Sequence, residues 1–342
     1  MNRRTLLASV SGLAATGLAG CLADADDAGS PADDPSDSST DTDATASPTA
    51  TDGSPDATTE ASTPARDTSF PPNHDDIERV VWFREVSDPD SALLLEHSAA
   101  SVSLPDAELS FTLQNDTQRT FATNFYNWGL YRWEAGQWYR VAPRVTPDPL
   151  MTVEPGGSHQ WTVTLRDRVP GDPIVRTGGT SDVTVAPLGG GHYAFAVDGW
   201  WEDQEQTPTY EHKTVCAARF ELAGDALELV ASDAVTDTRR EGDTAVVTAE
   251  SPRDGEGTEA TYVLTRDDVS DPERLITEQV YRQWPLRDAL AHAGSDVREV
   301  RVETETHVTP LFGVQSDETP AVAYDGRTYR ISAERRDTGT SV

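Results

Sequence analysis

Short runs in which apolar and polar residues alternate fill the chain between residues 75 and 222. Two clear runs span residues 109–115 and 160–165, and their apolar members are Leu109, Phe111, Leu113, Trp161, Val163 and Leu165. An alternation with a period of two is typical of β-strands that bury one face. Because turn residues separate seven or eight such runs, we predict an antiparallel β-sandwich over residues 71–223.

Turns containing glycine divide these runs into hairpins. Glu134-Ala135-Gly136 predicts a hairpin between two aromatic-rich runs, and Glu154-Pro155-Gly156-Gly157 predicts a further turn. The run that leads to Phe195 resembles the tyrosine corner of immunoglobulin-like sandwiches, with Tyr193 as its tyrosine and Phe195 in place of the second cysteine. The predicted sandwich is therefore immunoglobulin-like. In its last strand, Cys216 is expected to be buried as a small apolar residue.

Beyond residue 224 the pattern changes to a mixture of strands and helix. Strands are expected at residues 245–248, 262–264 and 300–302, and on both sides of a two-residue turn at Asp325-Gly326. Asp271 as cap and Pro272 as first residue predict a helix that continues to Trp284. The next residue, a proline, separates it from a second short helix over residues 286–294. Residues 224–342 are thus expected to form a small α+β domain.

The first 21 residues are typical of an export signal. Arg3 and Arg4 precede a mildly apolar stretch that is too short for a membrane-spanning helix. The arginine pair resembles twin-arginine signals, and Leu18-Ala19-Gly20-Cys21 resembles the lipobox of bacterial-type lipoproteins. The resemblance implies a lipid on Cys21, export, and anchoring to the outer face of the cytoplasmic membrane at the cell surface. The alternative is an ordinary cleaved signal peptide with Cys21 merely nearby.

Residues 22–70, called the stalk below, have an unusually simple composition. Of these 49 residues, 45 are Ala, Asp, Thr, Ser, Pro or Gly, and the only aromatic is Phe70 at the far end. A segment so poor in apolar side chains cannot offset the entropy lost on ordering, so we predict that it is disordered. It would hold a folded domain away from the membrane.

The chain is strongly acidic. Its 342 residues include 59 Asp and Glu against 27 Lys and Arg, with a formal net charge of −32, and Lys213 is the only lysine. An acid excess in both the stalk and the rest is typical of a surface that stays soluble in concentrated salt, which indicates a halophile. An acidic surface for a basic ligand or for divalent cations is the alternative. The charge excludes nucleic acid as a partner, because the dominant interaction would be repulsive.

Aromatic residues are concentrated between residues 121 and 139, and Trp200-Trp201 follows a later strand. Alternation in a hairpin sends Trp128 to one face and Tyr131 and Trp133 to the other, so one set should be partly exposed or covered by the second domain. Exposed rings could bind an envelope protein or a glycan. The candidate residues for this face are Tyr126, Trp128, Tyr131, Trp133, Trp200 and Trp201. The alternative is that the rings fill the core and the contact between domains.

A short glycosylation motif lies in the first predicted domain. Asn115-Asp116-Thr117 matches the acceptor sequence for N-linked glycan and follows a predicted strand. We therefore expect a surface position for Asn115, which makes it a candidate glycosylation site.

Several of these motifs also resemble a known family. Those at residues 109–115, 153–161 and 191–193 are similar in outline to the immunoglobulin-like domains of the intracellular proteinase-inhibitor family. Asn124-Phe125-Tyr126-Asn127-Trp128 and Val141-Ala142-Pro143-Arg144 more closely resemble uncharacterised twin-arginine-exported lipoproteins of halophilic archaea. Because these motifs are turns and core aromatics, the resemblance over residues 100–200 implies a sandwich and little about activity.

No catalytic motif is visible in the sequence. It has no Gly-x-Ser-x-Gly elbow outside the signal, no phosphate loop and no His-Glu-x-x-His, and its seven histidines never pair at metal-ligand spacing. We therefore expect no cofactor and no metal. The favoured interpretation is a non-enzymatic, lipid-anchored envelope protein that binds an envelope protein or glycan. The alternative is an envelope peptidase inhibitor or enzyme that acts through the insertion at residues 166–181 or an interdomain cleft.

Overall fold

The computed structural model describes residues 70–335, apart from residues 73–75, 84–91, 174, 176, 203–211, 253–256 and 307–319. The export signal, with Arg3, Arg4 and Cys21, lies outside the described residues. So does the stalk, except for Phe70.

Two β-sheets are formed before residue 224. Within the described residues their strands are β1 (Ile77–Trp82), β2 (Leu93–His97), β3 (Ser101–Ser103), β4 (Asp106–Asn115), β5 (Phe121–Glu134), β6 (Gln137–Ala142), β7 (Met151–Val153), β8 (Ser158–Arg166), β9 (Asp182–Val185), β10 (Gly191–Trp201) and β11 (Lys213–Ala223). The first sheet has the order β1-β11-β10-β5-β6, with β3 added at β11 and β7 at β5, and the second has the order β2-β4-β8-β9. Most pairs are antiparallel, but β1 and β3 pair with β11, and β8 with β9, in parallel.

The two sheets enclose one apolar core, which confirms the predicted sandwich. Leu109, Phe111 and Leu113 on β4 are fully buried, as are the three apolar residues predicted on β8. Phe195 on β10 stacks on Phe111 of the opposite sheet with ring centroids 4.3 Å apart. The tyrosine corner is also present, because the hydroxyl of Tyr193 donates to the carbonyl oxygen of Gly189 at 2.7 Å.

A third sheet is built from the C-terminal half of the chain. Its described elements, with the two helices, are β12 (Val235–Glu241), β13 (Thr244–Ala249), β14 (Thr258–Arg266), β15 (Glu273–Arg274), α1 (Thr277–Val280), α2 (Leu286–Ala291), β16 (Glu299–Thr306), β17 (Ala321–Tyr324) and β18 (Arg327–Arg335). The strand order is β12-β13-β16-β14-β18-β17-β15. The hairpin at Asp325-Gly326 is confirmed, and both residues have the positive φ that its turn requires. No helix in the described part of the chain is long and apolar enough to cross a membrane.

The predicted helix from Asp271 to Trp284 is confirmed for one turn only, Thr277–Val280, and is wrong on both sides of it. Asp271 adopts a φ of 57°, and Glu273 and Arg274 form β15, which pairs with β17. Helix begins only at Thr277 and lasts one turn. Pairing with a distant strand has overridden the local helix signal. The predicted second helix is confirmed as α2.

The sandwich and the third sheet are in direct contact. Both belong to one compact unit, Pro64–Val342. Ile276, which precedes α1, is 2% exposed and packs in the core of the sandwich. The division of the folded part into two domains at residue 223 stays a prediction.

Candidate functional site

A bulge interrupts the middle of β5. Thr123 pairs with Gly199 and Trp128 pairs with Val197 on β10, so residues 124–127 of β5 lie opposite the single residue Asp198. The extra residues have no place in the regular ladder, so their side chains take other directions. Bulges of this kind commonly redirect side chains next to binding sites.

Polar groups converge beneath this bulge. Asn127 donates to the carboxylate of Asp198 at 2.9 Å, and the Lys213 ammonium lies 3.4 Å from Asp198 and 2.7 Å from Asp76. Burial lowers the pKa of Lys213, but the two carboxylates outweigh burial and raise it. The adjoining cavity, lined in part by Tyr131, has a volume of about 10 Å³. That is room for one water molecule, so the cavity cannot hold a substrate. Lys213 is engaged in ion pairs with Asp76 and Asp198.

An exposed loop, residues 143–150, follows β6 and is called the apolar loop below. Val145 is 86% exposed and Leu150 is 63% exposed. The amide of Asn124, from the bulge, donates to the carbonyl oxygen of Pro147 at 2.7 Å, and Arg144 donates to the carbonyl oxygen of Arg282 at 2.7 Å. The loop is therefore held in place while its two aliphatic side chains face solvent.

Two of the predicted binding-face residues are buried, which corrects their assignment. Trp128 is 0% exposed, stacks on Phe195 in the sandwich core, and donates its indole N–H to Gly179. Tyr131, on the opposite face of β5, is 5% exposed. Burial raises its pKa to about 12. In this structure neither ring is accessible from solution, because both are buried.

The other four predicted residues, Tyr126, Trp133, Trp200 and Trp201, are half-buried. Tyr126 belongs to the bulge beside the apolar loop. Trp201 packs edge-on against Phe121 at 5.2 Å, and the guanidinium of Arg119 lies over its ring. Trp200 and Trp201 pair with the start of β5, next to β7, so they lie at the same end of the first sheet as the apolar loop. Trp133 instead lies at the other end of β5.

A second aromatic cluster covers the outer face of the first sheet. The ring of Phe70 lies 4.6 Å from Trp82, 4.9 Å from Tyr131 and 5.3 Å from Trp138. The guanidinium of Arg219 lies over the ring of Trp82, 3.9 Å from its centroid. We call Trp82, Tyr131 and Trp138 the aromatic cradle. The face that was expected to be exposed or covered by the second domain is therefore covered by the last residue of the stalk.

The predicted glycosylation site is also corrected. Asn115 is 0% exposed, and its amide nitrogen donates to the carbonyl oxygens of Arg119 and Val153, both at 2.8 Å. Its side-chain oxygen accepts from the hydroxyl of Thr117 at 2.6 Å. A glycan on that nitrogen would displace these bonds, so the folded protein cannot carry one there.

The insertion at residues 166–181 does not protrude as an inhibitory loop would. The carbonyl oxygens of Pro170 and Asp172 accept from the buried guanidinium of Arg287, and that of Gly171 accepts from the backbone of Asp233. Near its other end, His159 bonds the carbonyl oxygen of Thr180 at 2.6 Å. Contacts to the sandwich and to the C-terminal region from residue 224 on, called the two halves of the protein below, fix the described part of this segment against the folded body.

The contact between the halves contains a buried ionic cluster. The carboxylate of Glu278 on α1 accepts from Arg132 of β5 and from the backbone of Gly189 at 3.1 Å. The hydroxyl of Tyr193 lies 3.3 Å from the same oxygen, and Arg282 donates to the backbone of Glu278. Burial lowers the pKa of Arg282 to about 10, against the opposing effect of Glu278. Because Glu278 is 0% exposed and Arg282 7% exposed, the cluster is closed to a substrate.

Several residues of these sites carried only weak signals in the sequence. Phe70 is the single aromatic of the stalk, and Val145 and Leu150 are aliphatic residues in a proline-rich loop. Glu278 is an acid between Thr277 and Gln279, and these polar neighbours give no sign that it is buried. Within the described residues, no group of three or more His, Cys, Asp or Glu side chains is placed to hold a metal ion.

Comparison with known proteins gives no family. No family model and no curated protein matches the chain. Among solved structures, the ASH/PapD-like domain of human CEP192 (PapD-like domain 7) is similar at 15% identity, over 42% of this chain and 93% of that chain, with a TM-score of 0.20. Function must therefore be inferred from the geometry of this chain.

Proposed function

We propose that this chain is an exported, lipid-anchored cell-envelope protein of a halophile, whose β-sandwich binds another envelope protein and catalyses no reaction. The signal-like N-terminus with Cys21 supports the anchored location, and the stalk supports a position away from the membrane. The acid excess with a single lysine supports a halophilic host.

The observation that carries the binding role is the apolar loop. Val145 and Leu150 are 86% and 63% exposed on a segment that Asn124 holds by a hydrogen bond. Two large exposed aliphatic side chains on one fixed loop favour a contact surface, because exposed apolar patches often mark protein interaction sites. Salts that strengthen apolar burial make such exposure more costly, and a partner would relieve that cost.

A protein partner fits this surface better than a glycan does. Sugar rings are commonly held by flat aromatic faces, but Trp128 and Tyr131 are buried and Trp201 is half-buried against Phe121. Among the described residues, the most exposed large apolar side chains are those of Val145 and Leu150, and both are aliphatic. Aliphatic anchors surrounded by polar residues are typical of protein interfaces.

The alternative functions have less support. An inhibitor acting through residues 166–181 would need a protruding segment, but Arg287 and Asp233 hold this one down. An enzyme acting through the ionic cluster between the halves would need an accessible polar group there, but Glu278 and Tyr193 are fully buried.

The test is affinity capture from envelope extract in concentrated salt. The wild type is compared with the double variant Val145→Asp/Leu150→Asp and with Val230→Asp. Val230 is the matched control, because it is a large exposed apolar residue, at 46%, that lies far along the chain from the apolar loop. The proposal predicts one protein retained by the wild type and by Val230→Asp but lost from the double variant. Equal retention by all three would contradict it.

A further inference from the structure

Phe70, the last residue of the stalk, packs inside the aromatic cradle as a ligand packs in a binding site. Phe70 is 3% exposed and sits among the rings of Trp82, Tyr131 and Trp138. Pro71 is buried too, and lines the small cavity beside Tyr131. Pairs of rings at these separations attract one another beyond the area they bury.

Phe70 does not satisfy the full hydrogen-bonding capacity of the aromatic cradle. Trp138 is 4% exposed, and its indole N–H has no hydrogen-bond acceptor in the described part of the chain. Buried donors in native proteins nearly always have a partner, and leaving one unpaired costs free energy. A bound phenylalanine ring offers no acceptor, so Phe70 leaves this donor unused. Release of Phe70 would let water reach this donor, which lowers the cost of exchange.

We propose that the aromatic cradle is a binding site for an aromatic residue followed by proline, and that Phe70 and Pro71 of the stalk are its exchangeable ligand in cis. Grooves lined by aromatic rings bind proline-containing segments well, because proline is already rigid and loses little entropy on binding. This inference is independent of the apolar loop and its partner.

Docking at the cradle sets where the stalk leaves the folded body. While Phe70 is bound, the stalk begins at the aromatic cradle. When Phe70 leaves, the chain is free back to Asp76, which Lys213 holds, and this adds about six residues or roughly 20 Å of extended reach. The cradle then becomes open to the same motif from a second chain.

The experiment uses the full-length protein with a protease recognition site inserted between Asn73 and His74. The protein folds with Phe70 attached, and cleavage then turns the stalk into a non-covalent ligand. We expect the cleaved stalk to stay with the body in size-exclusion chromatography at micromolar concentration. A synthetic peptide of residues 66–72 should displace it saturably, and the same peptide with Phe70→Ala should bind at least about tenfold more weakly.

A matched pair of variants identifies the site. Trp138→Ala should weaken the peptide about tenfold, because that ring contacts Phe70. Trp133→Ala should change its affinity less than threefold, because Trp133 packs on Trp138 from elsewhere. Three results would overturn the proposal: unfolding of the body on cleavage, a stalk that excess peptide cannot displace, and a folded body to which the peptide does not bind.

Discussion

Arg132 on β5 forms a buried ion pair with Glu278 on α1, a residue 146 positions away in sequence. The side chains are 13% and 1% exposed. Arg282 and Tyr193 border the same carboxylate, so the charge of Glu278 balances cations from both halves of the protein. The carboxylate of Glu278 therefore links the sandwich to the third sheet. Removing its negative charge would take a buried counter-charge from Arg132 on one side of this contact and from Arg282 on the other.

Replacing Glu278 with glutamine should destabilise the whole folded body. The change keeps the side-chain volume but leaves Arg132 with only the more exposed carboxylate of Glu134 as counter-charge, at an expected cost of about 3–5 kcal/mol in the free energy of unfolding. Denaturant titration in concentrated salt measures it, and both halves should unfold in one transition. The control is Glu303→Gln, which removes an exposed partner of Arg239 and should leave stability unchanged. Separate unfolding of the two halves would show that the cluster does not couple them.

Asn115 should carry no glycan in the mature protein. Its buried amide bonds the backbone of Arg119 and Val153, so Asn115→Ala should lower the free energy of unfolding by about 1–3 kcal/mol. Intact-mass measurement of protein from its native host tests occupancy. The neighbouring Asp116→Ala, at an exposed position, is the control for stability. An added mass that corresponds to a glycan on Asn115 would contradict the hydrogen bonds of its buried side-chain amide.

Trp128 should behave as a core residue and not as a binding residue. Trp128→Ala removes a fully buried ring and the bond to Gly179, so it should cost about 3–5 kcal/mol of stability. The half-buried Trp133→Ala should cost less. Thermal unfolding compares the two variants, and similar losses for both would argue against the different burial of these rings.

Cys216 should make stability fall at high pH. Burial raises the pKa of its thiol from 9.0 to about 12. Between these values the unfolded thiol ionises while the native thiol keeps its proton, so the free energy of unfolding drops by about 1.4 kcal/mol per pH unit. The contribution is fully present below pH 9 and is lost as the pH rises toward 12. Unfolding titrations from pH 8 to 10.5 should show a steeper loss for the wild type than for Cys216→Ala, and equal slopes would contradict the burial of the thiol.

The sandwich was predictable because its signals are local. Alternation in β4 and β8 identified buried faces, and the bond from Tyr193 to Gly189 spans only four residues. The turns at Ala135-Gly136 and Asp325-Gly326 likewise depend on residues next to one another in sequence. Such features need no knowledge of a distant partner.

The sites were less predictable because their contacts are long-range. Asn115 looked like a surface acceptor until β7 supplied its buried partner, and Glu273 left the predicted helix to pair with β17. The outer rings of β5 were expected to be exposed or covered by the second domain, but Phe70 covers Tyr131 instead. In each case a residue at least 38 positions away decides the outcome.

The binding role rests on the apolar loop, and crosslinking in intact cells tests it most directly. A photoreactive residue placed at Val145 or Leu150 should join the protein to one discrete partner at the salt concentration in which the host grows. The same residue at Val230, also apolar and exposed, should give no such product. Absence of a crosslink from both loop positions, or the same product from residue 230, would contradict the proposed function.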